Sequence, residues 1–172
     1  MNKAVIEISV IIFVIAAVLN AAYGREPMNL ESPEFKNNEY IPARYTGEGE
    51  DINPPLNIEN IPPQTKSLAL VVDDPDAPKG VWVHWVVFDI PAATSTIKEN
   101  SVPGKLGITD SGIGNYHGPY PPSGTHRYFF KLYALDTILN LKEGVSKAAL
   151  ERAMQGHILD NTELIGLYKR KN

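Results

Sequence analysis

The sequence predicts a mainly β domain with a single clear α-helix near its C-terminal end. Three observations support this fold class. Short apolar runs rich in Val, Ile, Phe, Trp and Tyr recur along the chain, and these residues favour β-strands. Long segments rich in Gly, Pro, Asn and Ser separate the runs, as turns and loops do. A helical repeat of apolar residues is clear only once, between residues 146 and 158.

Three segments carry the strongest strand signal. SLALVV at 67–72 is a short apolar run that ends in β-branched residues, which is typical of a buried strand. VWVHWVVFDI at 81–90 and HRYFFKLYAL at 126–135 are longer and combine apolar with aromatic residues. A weaker pattern at 39–46 predicts a further strand, and ELIGLYK at 163–169 predicts the last one.

The intervening segments are predicted to be loops, apart from one helix. GEGEDINPPLNIENIPP at 47–63 predicts a long ordered loop, and loops of this length are uncommon unless they serve a function. Residues 91–125 are again dominated by Gly, Pro, Ser, Thr and Asn. Ser146 can cap a helix that begins at Lys147, with apolar side chains recurring every three or four residues through Ile158.

Length and composition indicate one globular domain. A chain of 172 residues, of which 43% are apolar and 21% charged, can bury a sizeable core. Its formal net charge of −4 provides no general basic surface, so we expect no nucleic-acid partner. Because the chain has no cysteine, disulfides, cysteine nucleophiles and cysteine-ligated metal centres are excluded. We also expect no cofactor.

Residues 1–24 have the pattern of a secretory signal peptide. A lysine precedes an unbroken apolar run at 10–19, and Ala22-Tyr23-Gly24 offers small residues at the −3 and −1 positions of a cleavage site. Ten helical residues span about 15 Å, which is about half the hydrocarbon thickness of a bilayer. We therefore expect a secreted or periplasmic domain at 25–172, with no integral membrane span after cleavage. The alternative is a leader that stays uncleaved and anchors the protein to the membrane.

The segment DDPDAPKG at 73–80 combines carboxylates with prolines. Pro75 and Pro78 have fixed φ angles and also restrict the residues that precede them. The turn that carries Asp74 and Asp76 is therefore stiff before any tertiary contact forms. A stiff turn fixes the direction of its carboxylates, but Asp-Pro turns are also common surface features, so a structural role stays open.

Two histidines lie on apolar faces near the ends of their predicted strands and next to proline-rich loops. The rim of a pocket would lie there. Side chains alternate along a strand, which predicts that His84 shares a face with Trp82, Val86 and Phe88. The same rule predicts that His126 shares a face with Tyr128, Phe130 and Leu132. A single histidine on such a face is more often structural than functional, so their combination with the aspartates is the informative feature.

Two spaced segments of the chain resemble the signature regions of the phosphatidylethanolamine-binding protein family, which includes the Raf kinase inhibitor proteins. The first is DPDAP at 74–78, followed by WVHW at 82–85, where Val83 departs from relatives that have two adjacent histidines. The second is a Gly-Pro loop at 118–119 that runs into GTHRY at 124–128. Further stretches resemble the YbhB/YbcL-like branch of bacterial and archaeal proteins, and the resemblance covers roughly Pro42 to Lys169.

The resemblance implies a large central antiparallel sheet packed against a smaller sheet, with a C-terminal helix. It also implies a shallow pocket for small anionic or phosphorylated groups. By motif position, the pocket residues are Asp74, His84, Gly118, Pro119, His126 and Tyr128. Asp76 belongs to the same motif and either lines the pocket or braces its loop. We infer in addition that Asp74 or Asp76 braces His126.

Such a pocket makes chemical sense for a phosphate group. A carboxylate beside an imidazole favours the charged ring and raises its pKa, and the ring can then donate hydrogen bonds to phosphate oxygens together with a tyrosine hydroxyl. Backbone amides near Gly118 can supply further donors. A spare carboxylate could meet an ammonium group, which would suit zwitterionic phosphoethanolamine.

The sequence leaves three function classes open. The first is an exported binding module for small anionic ligands that modulates a protein partner and can form a homodimer. The second is a hydrolase that uses His84 or His126 as an acid or base, with Ser123 as a nucleophile. The third is a metal-dependent site made of Asp74, Asp76, His84 and His126. No G-x-S-x-G elbow, H-E-x-x-H motif or EF-hand loop supports the enzyme or metal classes, and we expect no enzyme.

Overall fold

The computed structural model describes residues 24–112 and 114–171, which form two β-sheets and one α-helix. The elements, in chain order, are β1 (Asn29–Glu31), β2 (Glu39–Tyr40), β3 (Leu56–Glu59), β4 (Ser67–Asp74), β5 (Trp82–Pro91), β6 (Thr96–Ile97), β7 (Lys105–Leu106), β8 (Thr125–Leu135), α1 (Lys147–Met154) and β9 (Ile158–Lys169). The predicted signal peptide lies outside the described residues, except for Gly24. No helix of the described part is long and apolar enough to cross a membrane.

The larger sheet has six strands in the order β2-β9-β8-β4-β5-β7. Its neighbours pair antiparallel, except for the short parallel pair of β2 and β9 at one edge. Strand β4 lies inside this sheet, and all eight of its residues are buried. Burial on both faces explains why its sequence is a continuous apolar run without polar alternation.

The smaller sheet has three antiparallel strands in the order β1-β3-β6 and packs on one face of the larger sheet. Apolar side chains from both sheets form one core between them. The small sheet contributes Leu30, Leu56, Ile58 and Ile97, and the large sheet contributes Leu68, Leu70, Val72, Trp85, Val87, Phe130, Leu132 and Leu164 among others.

Helix α1 packs on the opposite face of the larger sheet. Ser146 caps it by accepting a hydrogen bond from the Ala149 amide, as its position in the sequence predicts. Leu150 and Met154 are buried against a second apolar cluster that includes Ala69, Val71, Val83, Val86, Phe88 and Leu135. An ion pair between Lys147 and the fully buried Asp73 of β4 also ties the start of the helix to the sheet.

The predicted fold class is confirmed: two sheets of unequal size and one C-terminal helix. The predicted strand at 39–46 is mostly wrong, because β2 ends at Tyr40 and Pro42 begins a 3-10 turn at Ala43–Tyr45. The segments predicted as loops at 47–63 and 91–125 contain β3, β6 and β7. These strands have two to four residues, which is too short for an alternating pattern to be recognised.

The helix is shorter than its apolar repeat predicts. It ends at Met154, and Gly156 then takes a positive φ of 79°, a conformation that glycine adopts readily. Ile158 therefore belongs to β9 and not to the helix. His157 lies in the connecting turn, where its Nδ1 is 2.8 Å from Asp136 Oδ1.

Candidate functional site

Asp74 is the last residue of β4, and both of its carboxylate oxygens are engaged by the protein. The Nδ1–H group of His126 donates to Oδ2 over 2.7 Å, and the Asp76 amide donates to Oδ1 over 2.8 Å. The side chains of Asp74 and His126 are only 5% and 8% exposed. Of the two aspartates considered from the sequence, Asp74 is therefore the one that braces His126. The Asp74 carboxylate is therefore not a spare carboxylate that could meet an ammonium group.

Asp76 braces the proline-rich turn against β8. Its carboxylate accepts two hydrogen bonds from the Arg127 guanidinium, at 2.7 and 2.9 Å, and one from the Arg127 amide at 3.0 Å. These bonds, the guanidinium ones foremost, lower the pKa of Asp76 to about 2. The side chain thus faces Arg127 and does not line the pocket described below.

His84 lies at a break in the pairing of β4 and β5. Val72 pairs with Trp85, but the next residue, Asp73, pairs with Val83, so His84 is an extra residue in a β-bulge. The bulge interrupts the alternation of side chains along β5. The prediction that His84 shares a face with Val86 and Phe88 is therefore wrong, because those two residues pack on the helix side of the sheet.

The ring of His84 is held in one tautomer. Its Nδ1 is 2.5 Å from the His117 carbonyl oxygen, which can only accept, so the ring proton is on Nδ1. The His117 amide in turn donates to the His84 carbonyl over 3.0 Å. Burial lowers the pKa of His84 from 6.5, and this effect outweighs the opposing effects of the His117 carbonyl and the Asp74 carboxylate. The expectation of a raised pKa is thus wrong for this ring, which is neutral at pH 7.

Tyr128 lies on β8 beside His84. The two rings meet edge to face with their centroids 5.1 Å apart. Burial, and then the nearby Asp74 carboxylate, raise the pKa of the tyrosine hydroxyl. The hydroxyl therefore keeps its proton, and the Asp74 carboxylate is a hydrogen-bond partner for it. As predicted for a regular strand, Tyr128 shares its face with Phe130 and Leu132, which are buried in the core between the sheets.

Asp51 and His117 belong to this site, although the sequence did not identify them. Asp51 accepts a hydrogen bond from the Gly118 amide over 2.6 Å, and its other oxygen is 3.2 Å from His117 Nδ1. The Gly118 amide is therefore bonded to Asp51 and is not one of the free donors that the sequence predicts near this position. The unusual length of the segment that contains Asp51 was the only signal of its role.

Gly118 is required for steric reasons. A Cβ atom at this position would lie 2.7 Å from both the Thr46 Cα and the Tyr45 carbonyl oxygen, and 2.8 Å from Asp51 Oδ1. Only glycine lets the loop approach the backbone so closely. Pro119 is a buried residue of the same loop, and its carbonyl accepts from the Gly47 amide over 3.0 Å.

These elements enclose a pocket with a cavity volume of about 340 Å³. Its lining consists of Asp74, Ala77, Pro78, Lys79, Trp82, His84, His117, Gly118, Tyr120, Pro121, Pro122 and Tyr128. Four of the seven predicted site residues are among them: Asp74, His84, Gly118 and Tyr128. The other three do not line the cavity: His126 is bonded to Asp74, Asp76 pairs with Arg127, and Pro119 is buried within its loop.

The geometry gives little support to the alternative chemistries. Among the described residues, no group of three or more His, Asp or Glu side chains is arranged to hold a metal ion. Two of the suggested ligands, Asp74 and Asp76, are bonded to His126 and Arg127 instead. Ser123, suggested as a nucleophile, is exposed and lines a different surface cavity together with Lys169 and Arg170.

Fold and pocket together define a two-sheet β domain with a histidine-lined cavity between the proline-rich turns. Residues 31–169 match the sequence profile described as phosphatidylethanolamine-binding protein. This match covers most of the chain, and the chain belongs to the phosphatidylethanolamine-binding protein family, as a YbhB/YbcL-like member.

Relatives and solved structures agree with this assignment. A UPF0098 protein of Methanothermobacter thermautotrophicus is 52% identical over 151 residues, which is 83% of this chain and 99% of the relative. A UPF0098 protein of Aquifex aeolicus is 47% identical and covers 83% of this chain and 89% of its own. These names refer to no enzymatic activity.

Two crystal structures share the fold. A phosphatidylethanolamine-binding protein homologue of Chlamydia trachomatis superimposes with a TM-score of 0.82 at 38% identity, and the match covers 84% of this chain and 99% of that one. Escherichia coli YbcL, described as a member of the mammalian family, has a TM-score of 0.78 at 29% identity. That match covers 85% of this chain and 100% of YbcL.

Proposed function

We propose that this protein binds small phosphorylated or other anionic groups in the pocket beside His84 and Tyr128. The observation that carries the proposal is the distribution of charge in the cavity. The nearby carboxylates of Asp51 and Asp74 already accept hydrogen bonds from the protein itself. Lys79 lines the same cavity and can donate to an anion, and Tyr128, whose hydroxyl has Asp74 as a hydrogen-bond partner, lies beside it.

The mouth of the pocket has a different character from its polar end. Trp82 and Tyr120 are 38% and 52% exposed, and with Pro121 and Pro122 they form an apolar wall. Exposed aromatic side chains next to polar groups are typical of a site that binds a ligand with both kinds of surface. An anionic head group attached to a short apolar portion fits this arrangement.

Calorimetric titration of the purified protein with inorganic phosphate and with phosphoethanolamine tests the proposal. Tyr128→Phe removes one hydroxyl from the pocket, and His84→Ala removes a ring of its wall. Tyr133→Phe is a matched control, because Tyr133 lies on the same strand but packs on the helix side of the sheet. We expect saturable binding by the parent and the control, with weaker binding by both pocket variants. No binding at millimolar ligand concentration would refute the proposal.

We further propose that the domain at 25–172 is exported by the segment 1–24. The support is the sequence pattern of that segment. Expression of the full chain in a bacterium, followed by mass spectrometry of the purified product, would test it. A product that begins at Arg25 is expected, whereas an intact chain in the membrane fraction would favour the uncleaved anchor. That the domain modulates a protein partner and forms a homodimer also remains a prediction from the sequence.

A further inference from the structure

His117 lines the pocket and is held by the protein through one of its two ring nitrogens. The Asp51 carboxylate is 3.2 Å from Nδ1, and a carboxylate can only accept, so the ring donates from Nδ1. Nε2 is then the nitrogen that a ligand can use. This nitrogen can donate a hydrogen bond only when the ring carries a second proton.

The neighbouring ring of His84 provides a hydrogen-bond acceptor instead of a donor. Its Nδ1 donates to the His117 carbonyl oxygen, so the Nε2 atom of this neutral ring is an acceptor. The rings of His84 and His117 are nearly parallel, with 16° between their planes and 6.2 Å between their centroids. Both residues line the same cavity. One ligand can therefore contact a potential donor on one ring and an acceptor on the other.

We propose that His117 and His84 form a donor–acceptor pair that selects a phosphate group retaining at least one proton. His117 takes up a proton when the ligand binds and donates from Nε2 to an anionic phosphate oxygen. The phosphate hydroxyl donates to Nε2 of His84. This inference rests on the proposed anion-binding function and names the ligand class, and His117 is its specificity residue.

The charged and titratable groups around His117 are compatible with this role. Asp51, on the segment that precedes β3, compensates a charge on the ring. Asp74 at the end of β4 is paired with His126, and Lys79 lies on the turn before β5. Tyr128 of β8 keeps its proton and has Asp74 as a hydrogen-bond partner. With 34% of its side chain exposed, His117 is in contact with solvent.

The affinities of the unsubstituted protein for phosphate and for sulfate test this donor–acceptor pair, because only phosphate carries a hydroxyl proton near neutral pH. A site with a fixed acceptor discriminates against an analogue that lacks the matching donor. We expect phosphate to bind at least about tenfold more tightly than sulfate, as one hydrogen bond of about 1.4 kcal/mol implies. Equal affinities would overturn the proposal while leaving the proposed function intact.

The substitution His117→Asn tests whether His117 takes up a proton when phosphate binds. Asparagine can still donate to Asp51 through its amide, but it has no counterpart of Nε2. Calorimetry in two buffers of different ionisation enthalpy measures the protons taken up when phosphate binds. We expect the variant to bind about tenfold or more weakly, in line with the loss of a charged hydrogen bond, and to take up fewer protons than the parent. Weaker binding with unchanged proton uptake would mean that His117 is merely structural and would overturn the proposal.

His157→Asn is the matched control, since His157 also pairs through Nδ1 with an aspartate, Asp136, but lies outside the pocket. It should change neither affinity nor proton uptake, and an equal effect of both substitutions would count against a specific role of His117. If the parent protein binds neither phosphate nor phosphoethanolamine, both the proposed function and this inference fail. If the parent binds phosphate and His117→Asn behaves like it, only this inference fails.

Discussion

The Nδ1 atom of His126 lies 2.7 Å from Asp74 Oδ2, and both side chains are more than nine-tenths buried. Asp74 borders the pocket while His126 does not line it, so the pair connects the cavity wall to β8. A buried charged group is tolerated only when its partners compensate the loss of water. The pair therefore holds the Asp74 carboxylate in place and limits what it can do for a ligand.

The first prediction concerns the stability that depends on this pair. Asp74→Ala leaves His126 buried without its partner, and breaking a buried pair from one side costs about 3–5 kcal/mol. We expect the free energy of unfolding, measured by urea denaturation, to fall by an amount in that range. Asp136→Ala is the control, because Asp136 and His157 form a similar contact in which both side chains are 46% exposed. A loss for Asp74→Ala no larger than that of the control would contradict the prediction.

The second prediction concerns acid stability. The Arg127 guanidinium lowers the pKa of Asp76 from 3.8 to about 2 in the folded protein. A carboxyl group with a depressed pKa contributes stability above its unfolded pKa, and this contribution is lost as the pH falls through the folded pKa. We therefore expect Asp76→Asn to be less stable than the parent at pH 6, with a difference that disappears between about pH 4 and 2. Urea denaturation across this range measures it, and a difference independent of pH would exclude the ion pair as its cause.

The third prediction concerns the loop that carries His117. A methyl group at position 118 would overlap backbone atoms of Tyr45 and Thr46, and such overpacking costs about 1–3 kcal/mol. We expect Gly118→Ala to lose stability in this range and to weaken phosphate binding, because the loop must move. Gly114→Ala is the matched control, since a Cβ there would have its nearest neighbour at 3.4 Å. Thermal denaturation and calorimetry check both effects, and equal behaviour of the two variants would refute the steric argument.

The long strands and the position of the pocket were predictable from the sequence. Strands β4, β5 and β8 bury most of their residues, so their sequences are apolar and β-branched or aromatic over many positions. The motifs that contain Asp74, His84 and Tyr128 follow or begin these strands, which is why all three line one cavity.

Other features depend on contacts between segments far apart in sequence. The bulge at His84 arises from the pairing of β5 with β4, and the sequence of β5 does not indicate it. The contact between Asp51 and His117 joins two irregular segments 66 residues apart, each of which looks like an ordinary polar loop. Sequence periodicity describes regular elements only, so it could not assign Asp51 or His117 to the site.

The last prediction concerns the protonation of His84. Burial lowers the pKa of this ring from 6.5 in the folded protein, whereas the unfolded chain has no such burial. Below pH 6.5 the unfolded state therefore binds more protons at this position than the folded state does, and stability falls as the pH is lowered. His84→Gln removes this contribution. The free energy of unfolding of the variant should thus depend less steeply on pH between about 6.5 and 5 than that of the parent.

Nitrogen NMR of the imidazole rings provides a direct measurement of the same property. At pH 7 the His84 ring should be neutral with its proton on Nδ1, because the His117 carbonyl can accept but not donate. An unprotonated Nδ1 would contradict the hydrogen bond between these residues, and a ring that is already charged at pH 7 would contradict the lowered pKa. Either result would remove the acceptor that the proposed selection of a protonated phosphate requires, so this spectrum tests the structural basis of the ligand class without any ligand.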